Sequence, residues 1–185
     1  EKIYPLPAQI IYDHDSNALF FHDKSSVFKL ELESLKLELL TKVFIPIQSI
    51  ALNKRTKDVY FSTSTDGKIY KVNEFSKTIF LIHETVSAQG TSLSMSTTFD
   101  KLYFSKTNGR DILINALNLK SKKISEVVTI YRMNRIDQFL IIDYMLMFGY
   151  FALVHGEIIC LHLSLICSYQ NERLSLNSDF PIENF

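Results

Sequence analysis

The 185-residue chain has no tryptophan, only five glycines and four prolines, and two cysteines. The absence of tryptophan argues against the WD-type repeat, which carries that residue in its signature. Cys160 and Cys167 are seven residues apart and match no metal-ligand or redox spacing. They read as buried or unreactive thiols, with a local disulfide closing a hairpin as the alternative in an oxidising compartment. No sign of charge dominates: Lys+Arg and Asp+Glu are 20 each, and no block of five like charges occurs. The basic face that nucleic acid requires is therefore not expected. A Gly-x-Ser-x-Gly elbow, a Gly-rich phosphate loop and an Asn-x-Ser/Thr sequon are all missing; Asn177-Ser-Asp fails at its third place. No basic-then-apolar leader is visible, and the first residue is Glu1. Either a leader has been removed or the chain is a fragment.

One stretch, Phe139 to Cys167, is apolar enough to suggest a membrane span. Asp143, His155, Glu157 and His162 interrupt it, each costly in hydrocarbon, and Gly149 and Gly156 punctuate it. Buried strands are the better expectation, and no membrane partner is expected.

What the chain does have is aromatic and β-branched residues in short runs, with Phe 14 and Tyr 9. The most informative stretch is Lys57 to Asn73. There Val59-Tyr-Phe-Ser62 and Lys68-Ile-Tyr-Lys-Val72 flank Asp66-Gly67, a turn pair that tolerates positive φ and so signals a β-hairpin. The stretch recurs. Leu102-Tyr-Phe-Ser105 copies it closely and Leu19-Phe-Phe-His22 more loosely, the aromatic pairs falling 40 and 43 residues apart. Phe28-Lys-Leu-Glu-Leu-Glu33 alternates apolar with charged, as a half-buried strand does. Residues 31–40 are rich in helix formers, but alternation and register favour strand there too.

A repeat of about 40 residues with several short strands predicts an all-β chain, a β-propeller of four-stranded antiparallel blades. The blades are expected at 9–44, 47–86, 89–130 and 131–169, with 170–185 as a C-terminal strand or tail. Strands are expected at Phe139–Ile142, Met145–Tyr150, Glu157–Leu163 and near Arg173–Leu176 in the last blade, and Asn108-Gly109 as a hairpin turn in the third. Four blades make an incomplete ring, so the expectation is a piece of a longer propeller.

The first strand of each propeller blade lines the central channel. Gln9, Gln48, Gln89 and Gln138 fall near the starts of those strands, and a ring of neutral amides would suit a polar, planar organic ligand. The competing reading is that these amides satisfy strand-end backbone groups or face solvent. Asp13-His14-Asp15 is the densest cluster of titratable groups, but adjacent residues in a turn do not converge on one ion, and turn formation explains them. His22, His83, His155 and His162 are isolated and read as structural.

The segments Leu102-Tyr-Phe-Ser105, Gly109 to Lys122 and Asp66-Gly-Lys-Ile-Tyr-Lys-Val72 resemble the blades of insect ommochrome-binding proteins, over residues 9–130. That family consists of secreted haemolymph carriers of ommochrome pigments, related to YWTD-type and gluconolactonase-type six-bladed propellers. The resemblance implies a secreted, non-catalytic binding protein that takes a small organic ligand at the channel mouth, with no cofactor and no metal. It carries over no pigment-contacting residue. Gluconolactonase-type relatives hold a metal ion with Glu, Asn and Asp on inner strands, where this chain is expected to carry Gln, a poor ligand for a hard cation. A metal-dependent lactonase-like hydrolase and a protein-interaction propeller module are the alternatives.

Overall fold

In the computed structural model of the chain, residues 6–84, 92–96, 100–108, 111–130, 140–143, 148–152 and 158–162 are described. They form strands and, among the described residues, no helix. The first sheet holds β1 (Gln9–Asp13), β2 (Ala18–His22), β3 (Ser26–Glu31) and β4 (Lys36–Lys42), in that order. The second holds β5 (Ile47–Asn53), β6 (Asp58–Thr63), β7 (Lys68–Asn73) and β8 (Ile79–Glu84). The third holds β9 (Leu93–Ser96), β10 (Lys101–Asn108), β11 (Asp111–Asn118) and β12 (Ile124–Ile130). A fourth contains β13 (Leu140–Asp143), β14 (Phe148–Ala152) and β15 (Ile158–His162). All pairings are antiparallel between strands adjacent in sequence. Successive first strands approach one another. Four-stranded meanders whose first strands share a centre are the blades of a β-propeller, here an incomplete ring.

The apolar stretch after residue 139 is thus strand where it is described, and no helix among the described residues could cross a membrane. The strand expected near 173–176, the tail 170–185 and Cys167 lie outside the described residues. In the third blade β10 extends three residues beyond the expected Ser105. Asn108 pairs with Asp111, and the connection at 109–110 lies outside the described residues.

The recurring aromatic pair does two jobs, because neighbouring residues on a strand face opposite ways. Phe61 packs toward the first blade with Phe20, Ile50, Val59 and Val72, while Tyr60 packs toward the third with Leu93, Leu102 and Phe104. In the second blade the two aromatics therefore fill the joints on its two sides, and Phe20 and Phe104 meet them from the first and third blades. Burying such a side chain contributes about 1.5–3 kcal/mol.

The turns explain how so few glycines suffice. Positive φ recurs at Asn17, Lys57 and Asp100, one residue before or at the start of each second strand. It recurs again at Leu35, Lys77 and Lys122 before each fourth strand. Side chains hold these turns. The Oγ atoms of Ser34, Ser76 and Ser121 accept from the backbone N–H groups of Lys36, Thr78 and Lys123 at 3.3, 3.4 and 3.4 Å. Asn73 and Asn118 accept two backbone N–H groups each at the same turn. Among the described residues only the turn at Asp66-Gly67 uses a positive-φ glycine, with φ 63°. A second repeat device is the β-bulge at Leu40, Ile82 and Val127, one in each outermost strand of the first three blades. Bulges there twist the edge away from further pairing.

Polar ties join the blades at the end of the channel where the first strands finish. The Asp13 carboxylate accepts from Lys57 Nζ and Ser16 Oγ, both at 2.5 Å. Burial works to raise the Asp13 carboxyl, but the Lys57 ammonium and Ser16 hydroxyl outweigh it and hold it below its ordinary value. Asp100 takes Arg55 of the second blade and Lys120 of its own. Farther out, Lys29 of the first blade meets Glu74 of the second at 2.6 Å, both buried.

Candidate functional site

The opposite end of the channel, where β1, β5 and β9 begin and β2, β6 and β10 finish, is the candidate site. It is built from neutral groups. Gln9 Oε1 accepts from Ser49 Oγ at 3.1 Å and from the Ile50 N–H at 2.8 Å. Ser49 Oγ in turn accepts from the Leu93 N–H at 3.1 Å. One amide and one hydroxyl thereby link the innermost strands of three consecutive blades. Ser105 Oγ accepts from the Ser92 N–H at 3.0 Å, continuing the pattern within the third blade.

Each second strand carries a polar residue directly after its aromatic pair: His22, Ser62 and Ser105. His22 is buried, and its Nδ1 lies 2.6 Å from the Asp23 carbonyl, so Nδ1 is the donor of a neutral ring. Nε2 is then an acceptor, buried and with no hydrogen-bond partner. Burial lowers the His22 pKa, and the Asp23 carbonyl and carboxylate oppose it only in part. By strand alternation the ring shares a face with Ala18 and Phe20, toward the second blade.

Carboxylates at this end are occupied with their own turns. Asp23 Oδ1 accepts from the Ser25 and Ser26 N–H groups at 2.8 and 2.7 Å, and Asp66 Oδ1 takes Thr63 Oγ1 and the Lys68 N–H. Among the described residues no three of His, Cys, Asp and Glu gather as ion ligands would. In the Asp13-His14-Asp15 cluster the first carboxylate is buried against Lys57, and the His14 ring packs edge-on against Tyr12 at 6.2 Å.

Of the expected ring of amides, Gln9 occupies its carbonyl in the joint between two blades. Gln48 is the extra residue of a bulge in β5, between Ile47 and Ser49, half-buried. Gln89 and Gln138 lie outside the described residues. Sequence reasoning missed Ser49; His22, expected to be structural, has a buried ring. His22 was accessible through its place after the aromatic pair, where the other two blades carry Ser62 and Ser105; nothing in the pattern marks Ser49.

Neither a known protein family nor a curated protein matches the sequence. Solved structures do. The chain superposes on one from a nidogen/laminin complex with TM-score 0.71 at 12% identity, covering 84% of this chain and 60% of that one. An auxiliary nutrient binding protein from Bacteroides ovatus gives TM-score 0.65 at 10% identity, with 84% and 44% covered. A putative 6-phosphogluconolactonase from Bacteroides uniformis gives 0.56 at 16%, with 82% and 48% covered. At these identities the likeness is one of fold, and the fold is the β-propeller. The chain spans roughly half the length of these neighbours.

Proposed function

We propose that the chain is a non-catalytic binding propeller that takes a small organic ligand at the mouth where β1, β5 and β9 begin. The observation that carries this reading is the chemistry of that mouth. Its half-buried Gln9 and Gln48 carry neutral amides, Ser49 and His22 are buried in the joints, and the carboxylates of Asp23 and Asp66 are already occupied by backbone and hydroxyl donors. Such groups recognise a polar, planar molecule through hydrogen bonds and do not bind a hard cation well. Two neighbours in fold are auxiliary nutrient binding proteins, which supports ligand binding as a use of this architecture. The resemblance of the blades to ommochrome-binding proteins favours an ommochrome-type pigment as the ligand and secretion as the setting.

The test is a thermal-shift titration against xanthommatin-type pigments, with Ca²⁺ and Zn²⁺ in parallel. A ligand that binds only the native state raises the melting temperature in proportion to ln(1 + [L]/Kd). A rise with pigment and none with metal is expected. A rise with metal alone would replace this reading with a metal-dependent, lactonase-like hydrolase. No response to either would leave the protein-interaction propeller as the better account.

A further inference from the structure

The outermost strands of the three four-stranded blades are not equally protected. Charge interrupts β4 at Lys36, Glu38 and Lys42 and β12 at Glu126, whereas β8 runs Ile79-Phe-Leu-Ile-His and reaches its one charge, Glu84, at its last residue. Its side chains are also displayed: Ile79, Phe80 and Leu81 are 40, 49 and 53% exposed. The Phe80 ring lies over the Lys71 ammonium at 5.6 Å, which helps hold it in place. In the second sheet β8 pairs only with β7, so its outer row of backbone N–H and C=O groups faces away from the sheet. An exposed apolar edge whose one charge stands at its last residue is an arrangement that natural sheets normally avoid, because it templates another strand.

We infer that β8 pairs antiparallel with β8 of a second copy of this chain, making one continuous sheet from two blades across a two-fold axis. Charge supplies the choice of occupant. Lys77 stands just before the apolar run and Glu84 at its end. Antiparallel pairing about the middle of the run brings Lys77 of each copy to the Glu84 end of the other. Glu84 is within reach of a second copy: its side chain is 65% exposed, and its ion pair with Lys68 in its own chain is long, at 3.9 Å. Lys77 already holds Glu38 of the first blade at 2.6 Å, which fixes the turn that presents it. The bulge at Ile82 confines straight pairing to Ile79–Leu81. The contact is therefore short, and its affinity belongs to the weak class of interfaces. A two-fold pairing of this kind closes on itself and does not propagate.

Sedimentation of the chain over a dilution series from about 100 to 1 μM tests this, because weak interfaces dissociate in that range. A monomer–dimer equilibrium is expected. Leu81→Lys, at an exposed position that leaves the core intact, is expected to weaken dimerisation by about tenfold or more, since it sets a charge inside each copy's apolar run at the contact. Glu84→Lys should weaken it less, and Lys77→Glu combined with Glu84→Lys should recover part of that loss. Circular dichroism establishes that each variant is folded. A monomer throughout overturns the inference. So does a dimer that Leu81→Lys leaves unchanged, or one lost only in Ile10→Lys, which would place the contact on the first blade's outer face. Species that keep growing with concentration overturn it as well.

Discussion

The first and second blades present the same face to very different surroundings. In the second blade, Phe61 stacks on Tyr70 at 5.3 Å and 20°, and the pair is packed against the first blade. In the first blade, Phe21 stacks on Phe28 at 5.2 Å and 21°, the same arrangement on the equivalent strands. Yet Ile10 and Tyr12 beside that stack are 52% and 46% exposed, whereas their counterparts Ile50 and Leu52 are 0% and 5% exposed. Residue type is alike and burial is not. A blade therefore carries a face it cannot bury by itself, and its neighbour completes the core.

The largest effect should come from the covered half of this comparison. Phe61→Ala removes a fully buried ring from the joint between the first two blades and is expected to cost about 3–5 kcal/mol. Phe21→Ala removes a ring that is 5% exposed but joins neither inter-blade cluster and has exposed Ile10 and Tyr12 beside it, and should cost less, about 1–2 kcal/mol. Urea unfolding of the two variants gives the ratio directly. Equal losses would break the comparison, because they would mean that something covers the first blade's outer face in solution.

Much of this architecture was legible in the sequence, and the reason is the aromatic pair. Tyr60-Phe61 feeds the joints on both sides of the second blade, and Phe20 and Phe104 meet it from the first and third, so the pairs recur with the blade and announce its period. The turns were less legible. Ser34, Ser76 and Ser121 recur as regularly, but serine in a polar turn is too common to draw notice until its Oγ is seen accepting a particular N–H. The mouth was legible only in part. Gln9 lies where a channel-lining amide would, but its carbonyl serves the Ser49 hydroxyl and the Ile50 N–H, a choice set by contacts 40 residues away in the chain. Local pattern carries no information about which of two neighbours an amide will face.

That tie makes the next comparison, between the two glutamines that the structure describes. Gln9→Ala leaves the Ile50 N–H without its acceptor in a buried joint and should cost about 1–2 kcal/mol. Gln9→Glu keeps an oxygen for both donors and should lose less. Gln48→Ala, at a bulge, should fall within about 0.5 kcal/mol of the parent, as half-buried sites without a structural task usually do. If Gln48 proved the costlier position in urea unfolding while Gln9→Ala was silent, the joint would not depend on the amide.

The smallest effect separates the first blade from the other two just after the aromatic pair of the second strand, where His22 stands in the place of Ser62 and Ser105. The folded protein depresses the His22 pKa through burial, so the unfolded chain takes up a proton at a higher pH than the folded one does. The stabilising contribution is then fully present above the ordinary imidazole range, near pH 6.5, and is lost as pH falls through the folded value. His83, whose pKa burial also lowers with help from Lys106, adds a second loss in the same window. The lowered carboxyls of Asp13 and Asp100 act only at more acid pH, so they leave this window to the histidines. Unfolding free energies of the parent should therefore decline between about pH 7.5 and 5.5, and His22→Ser should flatten part of that decline whatever it does to stability at neutral pH. A slope unchanged by the substitution would mean that the ring is already reached by a proton, and that the buried Nε2 has a donor in solution.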